Sequence, residues 1–349
     1  MRILKKSFGR LKSGEEVIKY SLINRNNFTV NILNYGGIIT EIFTPDEEGN
    51  FENIVLGFDN LRDYEEKSPY FGSIVGRVAG RISNAKFRIA ENEYNLTKNN
   101  GKHHLHGGNI GLDKVIWQVE EIFEEECIGL SMSYLSRDGE EGYPGNLNIE
   151  ISYLLNSNNE LEIQQRAISD KKTIVNMTNH TYFNLCGNLK EDILNHTLTI
   201  NGDQVAFVDR EIIPTGELRN IENSVFDFRK GKKIGKDLYR KDDQLIKCKG
   251  FDHPFVLNHA RKFAVKLEDE KSGRVMEVRT DQPVVVLYTG NYIGQELMLN
   301  GKIKSKDYMG VCLETQDYPD AINQHNFPTR IYDAGEIYKA YTQFKFYTK

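Results

Sequence analysis

No apolar run in this chain approaches the roughly 18 residues a membrane-spanning helix needs, and its first ten residues, MRILKKSFGR, meet a charge at the second position. We therefore expect no membrane partner and a soluble chain that is not exported. Cysteine is scarce: Cys127, Cys186, Cys248 and Cys312 lie far apart and form no C-x-x-C pair. That spacing gives no sign of a zinc knuckle or a small disulfide framework and fits a cytoplasmic, reducing location. Excess positive charge is missing as well. The 349 residues carry 45 Lys and Arg against 50 Asp and Glu, a net charge of −5, so no nucleic-acid partner is expected. Nor is there a P-loop, a fixed-period repeat, a low-complexity tract or a Pro/Gly/Ser linker that would divide the chain.

What the chain does have is apolar residues with period two. In LNIEISYLL (147–155), Leu147, Ile149, Ile151 and Tyr153 alternate with Asn148, Glu150 and Ser152, the pattern of a half-buried strand. NSNNE (156–160) then supplies a turn and LEIQQRAI (161–168) resumes the alternation, so residues 147–168 read as a hairpin. AKFRIAENEYNLT (85–97) and FAVKLEDEKSGRVMEVRT (263–280) read the same way. Helical periodicity is confined to NLRDYEEK (60–67) and GKKIGKDLYR (231–240), both too short and polar to organise a core. The expectation is an all-β fold, one large antiparallel β-sandwich over residues 1–349 with few short helices.

Five stretches carry candidate chemistry. HHLHGG (103–108) places His103, His104 and His106 beside two glycines. On a continuous strand His104 and His106 would point to one side, as in an H-x-H metal pair, yet no carboxylate or further histidine follows within half a dozen residues to complete a ligand set. A plain polar loop and a sugar-type polar site are the competing readings, and the glycines favour the last by letting backbone approach a ligand. NMTNHTYFNL (176–185) surrounds His180 with Asn176, Thr178, Asn179, Thr181 and Asn184 and with aromatic Tyr182 and Phe183, the groups that read hydroxyls and pack on the C–H face of a polyol. A histidine hydrogen-bonded in a polar core explains that stretch equally well. MGVCLETQDYPDAINQHNFP (309–328) puts Val311 and Leu313 on one face of a strand and Cys312 and Glu314 on the other, so a carboxylate sits at the end of an apolar strand, where burial demands a partner or a purpose. GFDHPFVL (250–257) and VGRVAGRI (75–82) add Asp252, which an Asx-turn would also explain, and Arg77 and Arg81, whose neighbouring glycines lack the strand and helix context of phosphate recognition.

Together these stretches resemble the galactose mutarotase (aldose 1-epimerase) family. YFGSIVGRVAGRI (70–82), HHLHGGNIGLDKVIW (103–117), NMTNHTYFNL, GFDHPFVL, VVVLYTGN (284–291) and CLETQDYPDAINQ (312–324) occur in the family's order across most of the chain. The resemblance implies a large β-sandwich (the mutarotase-like supersandwich), a substrate-binding Arg81, a pocket histidine at His106, a catalytic histidine at His180, a hydroxyl-binding Asp252 and a catalytic Glu314. It assigns no chemistry to His103 or His104. It also implies an isomerase of free aldohexoses such as galactose and glucose, with no metal and no cofactor. Gly80 replaces an Asn common in the family, Val286 a Gln, and Asp317 a His, departures that bear on which sugar is preferred. The implied reaction opens the ring by removing the O1 proton and delivering one to the ring oxygen O5, then closes it on the other carbonyl face. With ordinary pKa values of roughly 4.3 and 6.5, a Glu314 base and a His180 acid coexist between those limits, and neighbouring carboxylates would extend the window upward. A sugar sensor on the same fold would lack the acid or the base, and a hexose-phosphate epimerase would need a further basic cluster.

Overall fold

The computed structural model describes residues 1–259 and 262–349. Three antiparallel sheets hold most of the described strand residues. The N-terminal one is a five-stranded meander from Arg2–Arg10 to Phe51–Asn53. The largest has nine strands, and at its centre Leu147–Asn156 and Glu160–Ser169 pair as the expected hairpin, with Ile337–Thr348 hydrogen-bonded to the second arm. The third, of six strands, runs Tyr182–Phe183, Val311–Gln316, Val284–Tyr288, Asp252–Leu257, Gly202–Val208 and Pro214–Asn220.

Period-two alternation explains why these sheets pack. Ile149, Ile151, Tyr153 and Ile163 of the nine-stranded sheet, Leu22 and Val30 of the N-terminal sheet, and Phe255, Val285, Leu287, Val311 and Leu313 of the six-stranded sheet belong to one buried apolar cluster. The all-β sandwich expected from the alternation is what forms. The other two expected hairpins form as Lys86–Ile89 with Asn92–Asn95 and as Val265–Glu268 with Arg274–Thr280.

Helices play the small part expected. Leu61–Lys67 is capped by Asn60, whose side chain accepts from the Asp63 amide at 3.0 Å. The second expected helix, over 231–240, does not form. Gly231 adopts φ +75°, Lys232–Lys233 joins the nine-stranded sheet, and only a single 3₁₀ turn follows at Ile234–Lys236. The Lys232 ammonium is drawn inward to Asp237 at 2.6 Å, a contact that competes with helical geometry. A helix forms instead at Asp243–Cys248, where the Asp242 side chain accepts from the Gln244 and Leu245 amides and Lys249 closes the end in the left-handed conformation.

Candidate active site

One face of the six-stranded sheet supplies the core, and the other floors a cleft of about 180 Å³. Strand Val311–Gln316 shows how. Its odd-numbered Val311 and Leu313 enter the core, while Glu314 and Gln316 face the cleft and Cys312 lies beneath it. Register extends the floor sideways: Val286 stands opposite Glu314, Tyr288 opposite Cys312, and Asp252 opposite Tyr288.

The walls come from loops that bring distant segments together. His180 lies between the short strands Thr178–Asn179 and Tyr182–Phe183, and its backbone is held on both sides, with its N–H donating to the Ser73 carbonyl and its C=O accepting from Gly72. Its Nε2 stands 3.4 Å from Glu314 Oε1, and its Nδ1 stands 3.6 Å from Cys312 Sγ. His106 is turned into the cleft by a left-handed backbone, φ +52°, and its ring lies 5.2 Å from that of His180. Arg81 and Asp252 complete the set. All five residues singled out by the resemblance line this one cleft.

Several readings of individual residues need correction. His104 and His106 do not share a side, because the strand ends at His104–Leu105 and His106 is left-handed. His104 turns inward, its Nδ1 2.7 Å from the Thr97 carbonyl and its Nε2 2.8 Å from the Tyr143 hydroxyl. His103 accepts from the Asn84 amide and faces Glu211. The amides and hydroxyls around His180 do not read a sugar. Asn176 is bonded to the Asp317 backbone, Thr178 to the Thr315 carbonyl, Asn179 to the Gly72 carbonyl and Asn184 to the Met309 carbonyl, so they fasten the loop that carries the histidine. Arg77 is likewise structural, its guanidinium donating to the carbonyls of Ser136, Arg137, Pro144 and Gly145. Tyr70, Tyr288, Tyr292 and Gln316 line the cleft without having been singled out. The period-two rule applied outward from Glu314 and Val286 finds Gln316 and Tyr288. Of the three departures, Val286 lies on the floor, Gly80 on the wall, and Asp317 lines no part of it.

Burial governs the charges. The His180 imidazole is pushed down to about 4 by desolvation, and the Glu314 carboxyl is pushed up to about 8 by desolvation and by the nearby Asp252 charge, against the opposing pull of Arg81. This reverses the order expected from ordinary values. Between about 4 and 8 the pair holds one proton, resting on Glu314 and able to cross the 3.4 Å gap to His180. Asp252 is also raised by burial, and His106 is held neutral by it.

His106, His180 and Glu314 bring three ligand atoms within 4.8 Å of one another, a spacing a divalent cation accepts. The tautomer of His106 argues against that use. The Gly80 N–H donates to its Nδ1 at 3.1 Å, so in the neutral ring the proton is on Nε2, which then offers a donor to the cleft and no lone pair. Metal-bound histidines show the opposite arrangement, with the far nitrogen donating.

The model of the aldose 1-epimerase family matches residues 19–345. The chain is 40% identical over 347 residues to galactose mutarotase of Bos taurus, covering 97% of each. It is 37% identical over 332 residues to aldose 1-epimerase of Haemophilus influenzae, covering 93% of this chain and 94% of that one. The crystal structure of galactose 1-epimerase from Lactobacillus acidophilus NCFM matches with a TM-score of 0.88 at 30% identity, covering 99% of both chains. With a family model spanning nearly its whole length and relatives this similar end to end, the chain belongs to the aldose 1-epimerase family.

Proposed function

We propose that this protein interconverts the α and β anomers of free aldohexoses such as galactose and glucose, with Glu314 as the base at O1 and His180 as the acid at O5. The observation that carries the reading is the 3.4 Å approach of Glu314 Oε1 to His180 Nε2 on the cleft floor. O1 and O5 are bonded to the same carbon, so an acid and a base this close reach both at once. In the working tautomer Glu314 is a carboxylate and His180 an imidazolium. Glu314 takes the O1 proton as His180 gives one to O5, and the C1–O5 bond breaks to leave an aldehyde. Rotation about C1–C2 presents the other carbonyl face. Closure returns both protons, and the pair ends as it began.

The surrounding residues suit binding. Arg81 donates through Nε to Asn100 at 3.1 Å, and its terminal nitrogens have no partner among the described residues, leaving them for sugar oxygens. His106 offers its Nε2 proton, and Asp252, beyond Tyr288 on the floor, accepts from hydroxyls remote from C1. Among the described residues Arg81 is the one Lys or Arg lining the cleft, which favours a neutral sugar over a sugar phosphate. The apolar cluster shared by all three large sheets supports residues 1–349 as one domain. Unpaired Cys127, Cys186, Cys248 and Cys312, with no described helix long and apolar enough to cross a membrane, fit a cytoplasmic location.

Polarimetry of freshly dissolved α-galactose and α-glucose tests the proposal. The protein should speed the approach to an unchanged final rotation, and a rate equal to the spontaneous one would refute it. Dialysis against EDTA should leave the acceleration intact, with elemental analysis finding no stoichiometric metal. Loss on chelation with recovery on adding zinc or manganese would show that His106, His180 and Glu314 hold a cation after all.

A further inference from the structure

Gln316 stands two residues beyond Glu314 on the cleft side of the same strand, buried and lining the cleft. Its Nε2 donates to the Asp317 carbonyl at 3.3 Å. That bond fixes the amide's orientation, because the flipped group would set two acceptors against each other. Oε1 is then left with no hydrogen-bond partner. A buried amide oxygen without a donor is costly and calls for a ligand or a water to satisfy it. Gly80 adjoins this amide: a Cβ there would lie 3.7 Å from Gln316 Nε2 and 3.0 Å from Pro319 Cβ, so a bare glycine leaves the amide's flank uncovered.

We infer that Gln316 accepts a hydrogen bond from the C2 hydroxyl of the aldose and so selects sugars oxygenated at C2. The inference rests on the acid and base assignment above. His180 touches both Cys312 and Glu314, which places it toward the N-terminal end of the strand from Glu314. Gln316 lies on the opposite side, about 6.5 Å further along. The two ring neighbours of C1 are O5 and C2. With O5 at His180 and O1 at Glu314, the part of the sugar turned toward Gln316 is C2 and its hydroxyl.

The test is a cycle of two sugars and two proteins, with kcat/KM measured by polarimetry relative to each sugar's spontaneous rate. The wild type should favour galactose over 2-deoxygalactose by about five- to fiftyfold. Gln316→Met should lose a similar factor on galactose and change 2-deoxygalactose by less than about twofold. Gln316→Asn, which keeps the amide but withdraws it, should show the same pattern at a smaller factor and serves if the Met variant does not fold. Equal slowing of both sugars would mark Gln316 as merely structural and overturn the inference, as would a wild type indifferent to the C2 hydroxyl. No acceleration of α-galactose by the wild type would instead refute the mutarotase reading itself.

Discussion

Glu314→Gln is expected to lower kcat by about 10²–10⁴-fold while galactose still binds. The amide matches the carboxylate in size and retains an acceptor and a donor, so the cleft floor beside Val286 keeps its shape. What disappears is the group proposed to take the O1 proton, together with the resting place of the shared proton. His180 would then face an amide oxygen or nitrogen with which it can exchange nothing. KM should move far less than kcat, because a hydrogen bond to O1 survives in the ground state. Stopped-flow polarimetry gives kcat, and quenching or calorimetric titration gives binding. More than about a tenth of wild-type activity would remove Glu314 from the base position.

His180→Asn should be comparably severe, and clearly worse than His106→Asn. The two imidazoles are neighbours, with ring centroids 5.2 Å apart, but their hydrogen bonds give them different work. His180 Nε2 faces Glu314 and can gain and lose a proton through it. His106 accepts at Nδ1 from Gly80, which makes its Nε2 a fixed donor. Such a group supports a ring oxygen without carrying the proton that O5 needs. Losing it should cost a hydrogen bond, roughly tenfold in kcat/KM, against about 10²–10⁴-fold for losing the acid. If His106→Asn were the more damaging variant, the two assignments would have to be exchanged.

The sheet architecture was legible because alternation reports burial one residue at a time. Leu147 to Tyr153 could be placed on a core face without knowing what covered them, and the hairpins followed from their turns. The missed helix at Asp243–Cys248 was written in its caps, Asp242 before it and a left-handed residue just ahead of Gly250 after it, but its apolar face is too short to show a period. The residues of the candidate site could be singled out by their chemistry, but the roles proposed for them came only through the resemblance. Nothing local distinguishes His106 from His104, since the difference is a single left-handed turn and the Gly80 amide that meets it from 26 residues away. The asparagines around His180 looked like sugar ligands because a polar loop clamp and a polyol site use the same side chains. Charge was the least legible of all. Ordinary pKa values set the acid above the base, whereas burial of both groups inverts them, and burial is a property of the assembled cleft.

The pH dependence of kcat/KM tests that inversion most directly, because it reports the free enzyme's acid and base. Raising the pH through about 8 takes the pair's one proton from Glu314, leaving nothing to deliver to O5. Lowering it through about 4 adds a proton to His180 while Glu314 stays protonated, leaving nothing to accept from O1. Measured as the enzymatic increment over spontaneous anomerisation, the profile should be flat from about 4 to about 8 and fall with unit slope on each side. A profile that peaks between about 4.3 and 6.5, the ordinary carboxyl and imidazole values, and has fallen tenfold by neutral pH would contradict a proton shared within a buried Glu314–His180 pair.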